Sequence, residues 1–356
     1  MSDADAVGLA TQSAWPVWGH DSAKVSLRQE IATGRVRHAY AFAGPEGVGK
    51  TALTMEFARA LLCSSPPAPG VACFECLPCR KIARGVHPDV QTFSLTTQAE
   101  TSEKHGGKNT SLTIETVRTI SASTALRPME GRWRVLVVED AETLQEVAQE
   151  AFLKTLEEPP SFVVMILLAN DAETLIPTIR SRCQVIEMRP VSRVAIVQGL
   201  AMAGVADDRA AEIAGLAAGR PGWALRAVNE PRLIDERYAT VDRAITWIDC
   251  SGFDRLVTAV RLGDGFTKRR AETYETLETL LGVWRDLLLT CASLSDCVSH
   301  QGQRSRLHEL ASGWPLADIH RAVRSVQTCI ADLEANVRPR LAIEAMVLQW
   351  PIKHRQ

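Results

Sequence analysis

The hydrophobic positions change their period along the chain. From Ala23 to Ile31 apolar residues (Ala23, Val25, Leu27, Ile31) recur at helical spacing, and Gly34 ends the segment. His38 to Ala43 is instead a short apolar run stopped by Gly44-Pro45, the form of a buried strand. Thr51 to Leu62 returns to helical spacing, with Leu53, Phe57 and Leu61 or Leu62 on one face. Arg134–Val138 and Phe162–Leu168 are again continuous apolar runs. Strands of a parallel sheet read this way because helices cover both of its faces. Ser64 to Gly70 reads as a loop, and residues 95–111 as a polar, mobile excursion. After Pro190 the strand pattern ends. Alanine-rich helical patterning runs to about Asn229, and amphipathic helical patterning from Leu233 onward. The expected division is a doubly wound α/β domain over 1–190, a small helical unit over 191–240 and an all-helical unit over 241–356.

Composition narrows the class. At 356 residues the chain exceeds one ordinary core, and 46% hydrophobic with 23% charged residues is a globular balance. No run of about 18 apolar residues predicts a membrane span. Met1-Ser-Asp-Ala-Asp-Ala6 lacks the basic, then apolar, order of a secretory signal, so a cytoplasmic location is expected. The formal charge of −2 excludes a surface coated in basic residues but not a local basic patch.

Three clusters carry chemistry. Gly44-Pro-Glu-Gly47-Val-Gly49-Lys50-Thr51 fits G-x-x-x-x-G-K-[ST] between a predicted strand and a predicted helix. Glycines let backbone N–H groups approach phosphate oxygens, and the helix start adds a positive dipole end. Lys50 would reach the β- and γ-phosphates of ATP or ADP, and the Thr51 hydroxyl would meet Mg²⁺. Glu139-Asp140 follows the buried run Val135–Val138, where a carboxylate can hold Mg²⁺ and a second acid can polarise water. Cys63, Cys73, Cys76 and Cys79 place four of the nine cysteines within 17 residues. Two C-x2-C steps in a chain without a secretory signal read as four tetrahedral ligands of a structural Zn²⁺. His87 could substitute as a ligand but reads better as a structural residue. The other five cysteines read as ordinary thiols.

In this order the features resemble the bacterial clamp-loader ATPases of the AAA+ class, which include the gamma/tau and delta-prime subunits of DNA polymerase III. The resemblance rests on Trp18-Gly-His20, Gly34–Ala39, the phosphate loop followed by the zinc cysteines, and Leu112–Arg118. It rests further on Ala151-Phe-Leu-Lys-Thr-Leu-Glu-Glu-Pro-Pro160 and on Ser181-Arg182-Cys183. Weaker islands are Gly219–Leu225 and Asn336–Glu344.

The resemblance implies an α/β P-loop AAA+ domain with a parallel sheet covered by helices on both faces. A small helical lid and an all-helical C-terminal collar would follow it. It also implies that Arg182 is an arginine finger acting in trans on a neighbouring subunit's ATP, with Arg180 the alternative. Asn170 would be a sensor of the γ-phosphate. Two departures point toward the delta-prime pattern. Glu139-Asp140 inverts the usual Asp-Glu order, and Gly222 stands where gamma/tau carries an arginine, for which Arg220 or Arg226 could substitute. Own ATPase would then be weak or absent, with no polymerase chemistry. The implied partners are gamma/tau and delta in a hetero-oligomeric ring, the sliding clamp and primed DNA, with no membrane. The alternatives are a gamma/tau-like motor, and a zinc-containing P-loop regulator that does not act on DNA. Arg80, Lys81, Arg84 and Arg118 could face DNA, but read more simply as solvated helix faces.

Overall fold

The computed structural model describes residues 15–101, 111–335 and 337–352. The acidic N-terminal residues, positions 102–110 of the polar excursion and Asn336 lie outside them. The chain divides into two units. One contains Met1–Gly199 with Gly219–Trp223, and the other Leu200–Ala218 with Ala224–Gln356.

The first unit is built on a five-stranded, wholly parallel sheet of order β2-β3-β4-β1-β5. Its strands are β1 (Ala39–Ala43), β2 (Val90–Phe93), β3 (Arg134–Val138), β4 (Val163–Ala169) and β5 (Gln184–Glu187). Its helices include α1 (Asp21–Thr33), α2 (Lys50–Leu62), α3 (Leu77–Ala83), α4 (Leu95–Thr101), α5 (Ile114–Thr124), α6 (Glu146–Glu157) and α7 (Pro177–Arg180). The continuous apolar runs have a direct cause. Tyr40, Phe42, Val135, Val137, Val164 and Ile166 enter one core with Leu27 of α1 and Leu53 and Phe57 of α2. Their neighbours Ala39, Ala41, Leu136, Val138, Met165 and Leu167 enter a second core with Val117 and Ile120 of α5 and Phe152 of α6. Successive side chains point to opposite faces, so two buried faces require apolar residues at every position.

The structure corrects several expectations from sequence. The buried face of α1 is Ala23, Lys24 and Leu27, while Val25 is half exposed. Strands β2 and β5 have no counterpart among the predicted elements. Both lie at sheet edges, and Gln91, Gln184 and Glu187 interrupt their apolar pattern. The excursion expected at 95–111 starts as a helix. The buried Gln98 of that helix accepts the Thr113 N–H (2.9 Å) and the Thr116 hydroxyl and donates to the Ser111 carbonyl (3.0 Å).

The division between units runs through α8 (Arg193–Met202) and α10 (Pro221–Asn229). The second unit adds α9 (Asp207–Leu216), α11 (Arg232–Asp249), α12 (Gly252–Gly265), α13 (Arg270–Cys291), α14 (Arg304–Ser312), α15 (Leu316–Glu334) and α16 (Pro339–Leu348). Its described residues contain no strand. Trp284 is fully buried at its centre, with Trp314 and Trp350 ring centroids at 5.6 and 5.5 Å. Asp286 is enclosed there: it accepts the backbone N–H of Ser299 (2.9 Å) and His300 (2.8 Å) and the His300 Nδ1–H (2.7 Å). A buried carboxylate survives only with such a full set of donors.

Candidate functional site

The phosphate loop joins the end of β1 to the start of α2, at the carboxyl end of a central strand. In open α/β sheets that is where ligands bind. Gly47 and Gly49 have φ of 76° and 114°, a region that side chains disfavour. A Cβ on Gly44 would stand 2.2 Å from the Met188 carbonyl oxygen, so this glycine is required by close approach. Two side contacts steady the loop. The His20 Nε2–H donates to the Val48 carbonyl (2.9 Å), and the Gly222 N–H donates to the Gly47 carbonyl (2.8 Å). Burial lowers the His20 pKa, which favours the neutral ring.

The loop borders a cleft of about 330 Å³ that collects Lys50, Thr51, Glu139, Asp140, Glu142 and Asn170. Lys50 Nζ donates to the Gly44 carbonyl, to the Pro45 carbonyl (3.3 Å) and to Asn170 Oδ1 (3.1 Å). Asn170 in turn donates through Nδ2 to Glu142 Oε1 (2.6 Å). The Thr51 hydroxyl stands 3.5 Å from Glu139 Oε1. Burial pushes the Lys50 ammonium down, and pushes the Glu139 and Glu142 carboxyls up, with the charge of Asp140 adding to both acids. Asp140 has a left-handed backbone (φ 52°), and its carbonyl accepts the Thr143 N–H and hydroxyl, each at 2.8 Å.

The arrangement can hold a polyphosphate chemically. It offers an N–H-lined loop, one ammonium, and a hydroxyl beside carboxylates that can take a divalent cation. The residues singled out from sequence thus converge, with Asn170 arriving from the end of β4. Glu142 was not singled out. It lies in a short 3₁₀ turn (Ala141–Thr143), and the only hint in sequence is a third acid after Glu139-Asp140. Arg182 is not among the cleft residues. Its Nη2–H donates to Glu157 Oε1 (2.6 Å) and its Nη1–H to the Thr178 carbonyl (2.9 Å). Arg180 pairs with Glu173. Gly222 touches the loop itself, and a Cβ there would already stand 3.1 Å from the Gly47 oxygen. Arg220 is beside Gly47, while Arg226 belongs to the second unit.

The four cysteines form a second cluster on the segment between α2 and α3. All four sulfurs lie within 4.8 Å of one another, and Cys63 and Cys76 Sγ are 3.9 Å apart. A tetrahedron with Zn–S bonds of about 2.3 Å has edges of about 3.8 Å. Backbone N–H groups of Cys73 and Cys76 donate to the sulfurs of Cys63 and Cys73, each at 3.3 Å. Burial pushes the Cys63 and Cys79 thiols up, a cost that a central cation removes. The donor set therefore fits zinc. His87 is engaged elsewhere, its Nδ1 accepting the Asp89 N–H (3.1 Å).

Beside it stands an ordering residue that the sequence motifs do not reveal. The fully buried Asp89 accepts the N–H groups of Met129 (2.6 Å), Glu130 (2.8 Å) and Gly131 (2.9 Å). Burial alone would raise its carboxyl, but these donors hold it below the usual carboxylate range. Of the four basic candidates for DNA, Lys81 is paired with Glu130, and Arg80, Arg84 and Arg118 are exposed.

Residues 19–192 match the family described as DNA polymerase III, delta subunit. Over 152 residues the chain is 38% identical to DNA polymerase III subunit delta' of Pseudomonas aeruginosa, across 42% of this chain and 43% of that one. Over 166 residues it is 30% identical to subunit gamma/tau of Mycobacterium bovis, across 47% of this chain and 27% of that one. The chain thus spans less than half the length of either relative. Among solved structures, the RuvB Holliday junction branch migration motor of Thermotoga maritima is a distant likeness. The identity is 16% and the TM-score 0.41, over 70% of this chain and 76% of that one.

Proposed function

We propose that this chain, whose residues 19–192 match the DNA polymerase III delta subunit family, belongs to the AAA+ clamp-loader subunits and works as the delta-prime-like member of that assembly. In this reading it sits in a cytoplasmic ring with gamma/tau and delta subunits and helps place the sliding clamp on primed DNA. Residues 1–190 form its AAA+ domain, 191–240 its lid and 241–356 its collar. No helix among the described residues is long and apolar enough to cross a membrane.

The observation that carries the reading is the separation of Arg182 from the chain's own cleft, on a part-exposed surface and held by Glu157 and a helix carbonyl. A guanidinium that is not at its own phosphate site can serve a neighbour's, where it would neutralise charge developing on the γ-phosphate. The cleft itself would bind ATP or ADP. Lys50 would contact the β- and γ-phosphates, and Thr51 with Glu139 and Asp140 would hold Mg²⁺. The inverted Glu-Asp order displaces each carboxylate by about one methylene, and a displacement near 1 Å can reduce a rate about a hundredfold. Cys63, Cys73, Cys76 and Cys79 would hold a structural Zn²⁺, with no open position for chemistry.

The test is reconstitution of the assembly with Arg182→Ala. ATP hydrolysis at the neighbouring site that Arg182 serves should fall about a thousandfold, lowering the DNA-stimulated hydrolysis of the whole complex, with nucleotide binding by this chain unchanged. Unchanged hydrolysis and clamp loading would remove the trans role. A gamma/tau-like motor predicts instead that Lys50→Ala in this chain abolishes most of the hydrolysis.

A further inference from the structure

Glu142 takes no part in the nucleotide and Mg²⁺ contacts proposed for the cleft, yet it touches the centre of it. We infer that Glu142 is an internal competitor of the γ-phosphate: it holds Asn170, and through Asn170 Lys50, in the place a nucleoside triphosphate must take. The inference rests on the reading of this cleft as a nucleotide site and adds to it a preference between nucleotides.

Three observations carry it. First, both ends of the Asn170 carboxamide are committed, Oδ1 to Lys50 Nζ (3.1 Å) and Nδ2 to Glu142 Oε1 (2.6 Å). The donor that would face a γ-phosphate is already given to a carboxylate. Second, Lys50 is turned inward, its three contacts being two loop carbonyls and Asn170 Oδ1. Third, Glu142 is only half satisfied. Its Oε2 is buried and makes no hydrogen bond of ordinary geometry. Such an atom gains from release to water or from a new donor, so the network can be exchanged.

Charge gives the direction. Glu46, Glu139, Asp140 and Glu142 border the cleft with Lys50. A divalent cation beside Thr51 can be shared by Glu139 and Asp140. Glu142, bound to the opposite side of Asn170, is left as a negative group facing the end of the polyphosphate. A diphosphate occupying the loop N–H groups draws Lys50 to its β-phosphate but leaves the Asn170–Glu142 bond in place. A triphosphate brings its third phosphoryl to Lys50 and Asn170 and has to displace Glu142. The built-in carboxylate therefore lowers affinity for ATP and leaves that for ADP nearly untouched.

The measurement is calorimetric titration of Mg-ATP and Mg-ADP into the full chain, wild type, Glu142→Gln and Glu142→Ala. Glutamine keeps an acceptor for Asn170 and removes the charge, and alanine removes both. ATP should bind about tenfold tighter to Glu142→Ala, with an intermediate gain for Glu142→Gln, while ADP changes by less than about twofold. ATP binding by the variants alone would support the inference equally. Equal effects on the two nucleotides, or weaker ATP binding as a lost Mg²⁺ ligand would give, overturn it while leaving the nucleotide site standing. No binding of either nucleotide at millimolar concentration by any of the three proteins overturns the site reading, and the competitor with it.

Discussion

The phosphate-loop cleft and the cysteine cluster lie in one unit and treat their donors in opposite ways. In the cleft, Lys50 and Asn170 already have partners, and a ligand must exchange them. In the cysteine cluster the four sulfurs face one another, supported by two backbone N–H groups. Affinity in the first is a small difference between two satisfied states. In the second a metal would remove an unfavourable meeting of sulfurs, and its binding energy would pass largely into folding.

The largest expected effect is therefore at the cysteines. Cys76→Ser should reduce bound zinc from about one per chain to a small fraction and expose the segment between α2 and α3 to protease, because apparent zinc binding is worth about 10 kcal/mol. Wild-type protein without zinc on metal analysis would sink the contrast.

Next comes Asp89, where the ligand of a set of backbone donors is built into the chain. Asp89→Ala leaves three N–H groups without an acceptor and should cost roughly 3 kcal/mol, read as a lower urea midpoint. The sign with pH follows from its depressed carboxyl. The contribution is complete above about pH 4 and is lost as pH falls through the lower folded value. The variant should accordingly show a flatter acid limb than wild type.

Lys50→Ala should weaken nucleotide binding about 10- to 100-fold with little change in stability, since the lost contacts to Gly44, Pro45 and Asn170 are local. A large loss of stability would mean that the cleft network is structural. The smallest effect belongs to the part-exposed Arg182–Glu157 pair. Glu157→Ala should move the unfolding free energy by less than about 1 kcal/mol, checked by urea titration.

Legibility from sequence follows burial. β1, β3 and β4 are readable because both their faces are covered and nearly every residue is apolar. The edge strands β2 and β5 are not, because Gln91 and Gln184 belong to half-buried positions that mimic loop composition. Motif spacing locates Lys50, Thr51, Glu139 and the four cysteines, since each motif is local. Glu142 and Asp89 are invisible for the opposite reason. Glu142 meets Asn170 28 positions away, and Asp89 meets its N–H donors 40 to 42 positions away. No local pattern encodes such meetings.

The bond from the Gly44 N–H to the Ala169 carbonyl (3.1 Å) sets a scale for the whole cleft. It ties the first residue of the phosphate loop to the last residue of the adjacent strand, one position before Asn170. The spacing between the two sides is therefore that of neighbouring strands, about 4.8 Å, fixed by peptide geometry rather than by loop conformation. The sheet acts as a ruler. Substitutions at Lys50, Asn170 or Glu142 can change which groups meet across the gap, but its width belongs to the backbone of β1 and β4.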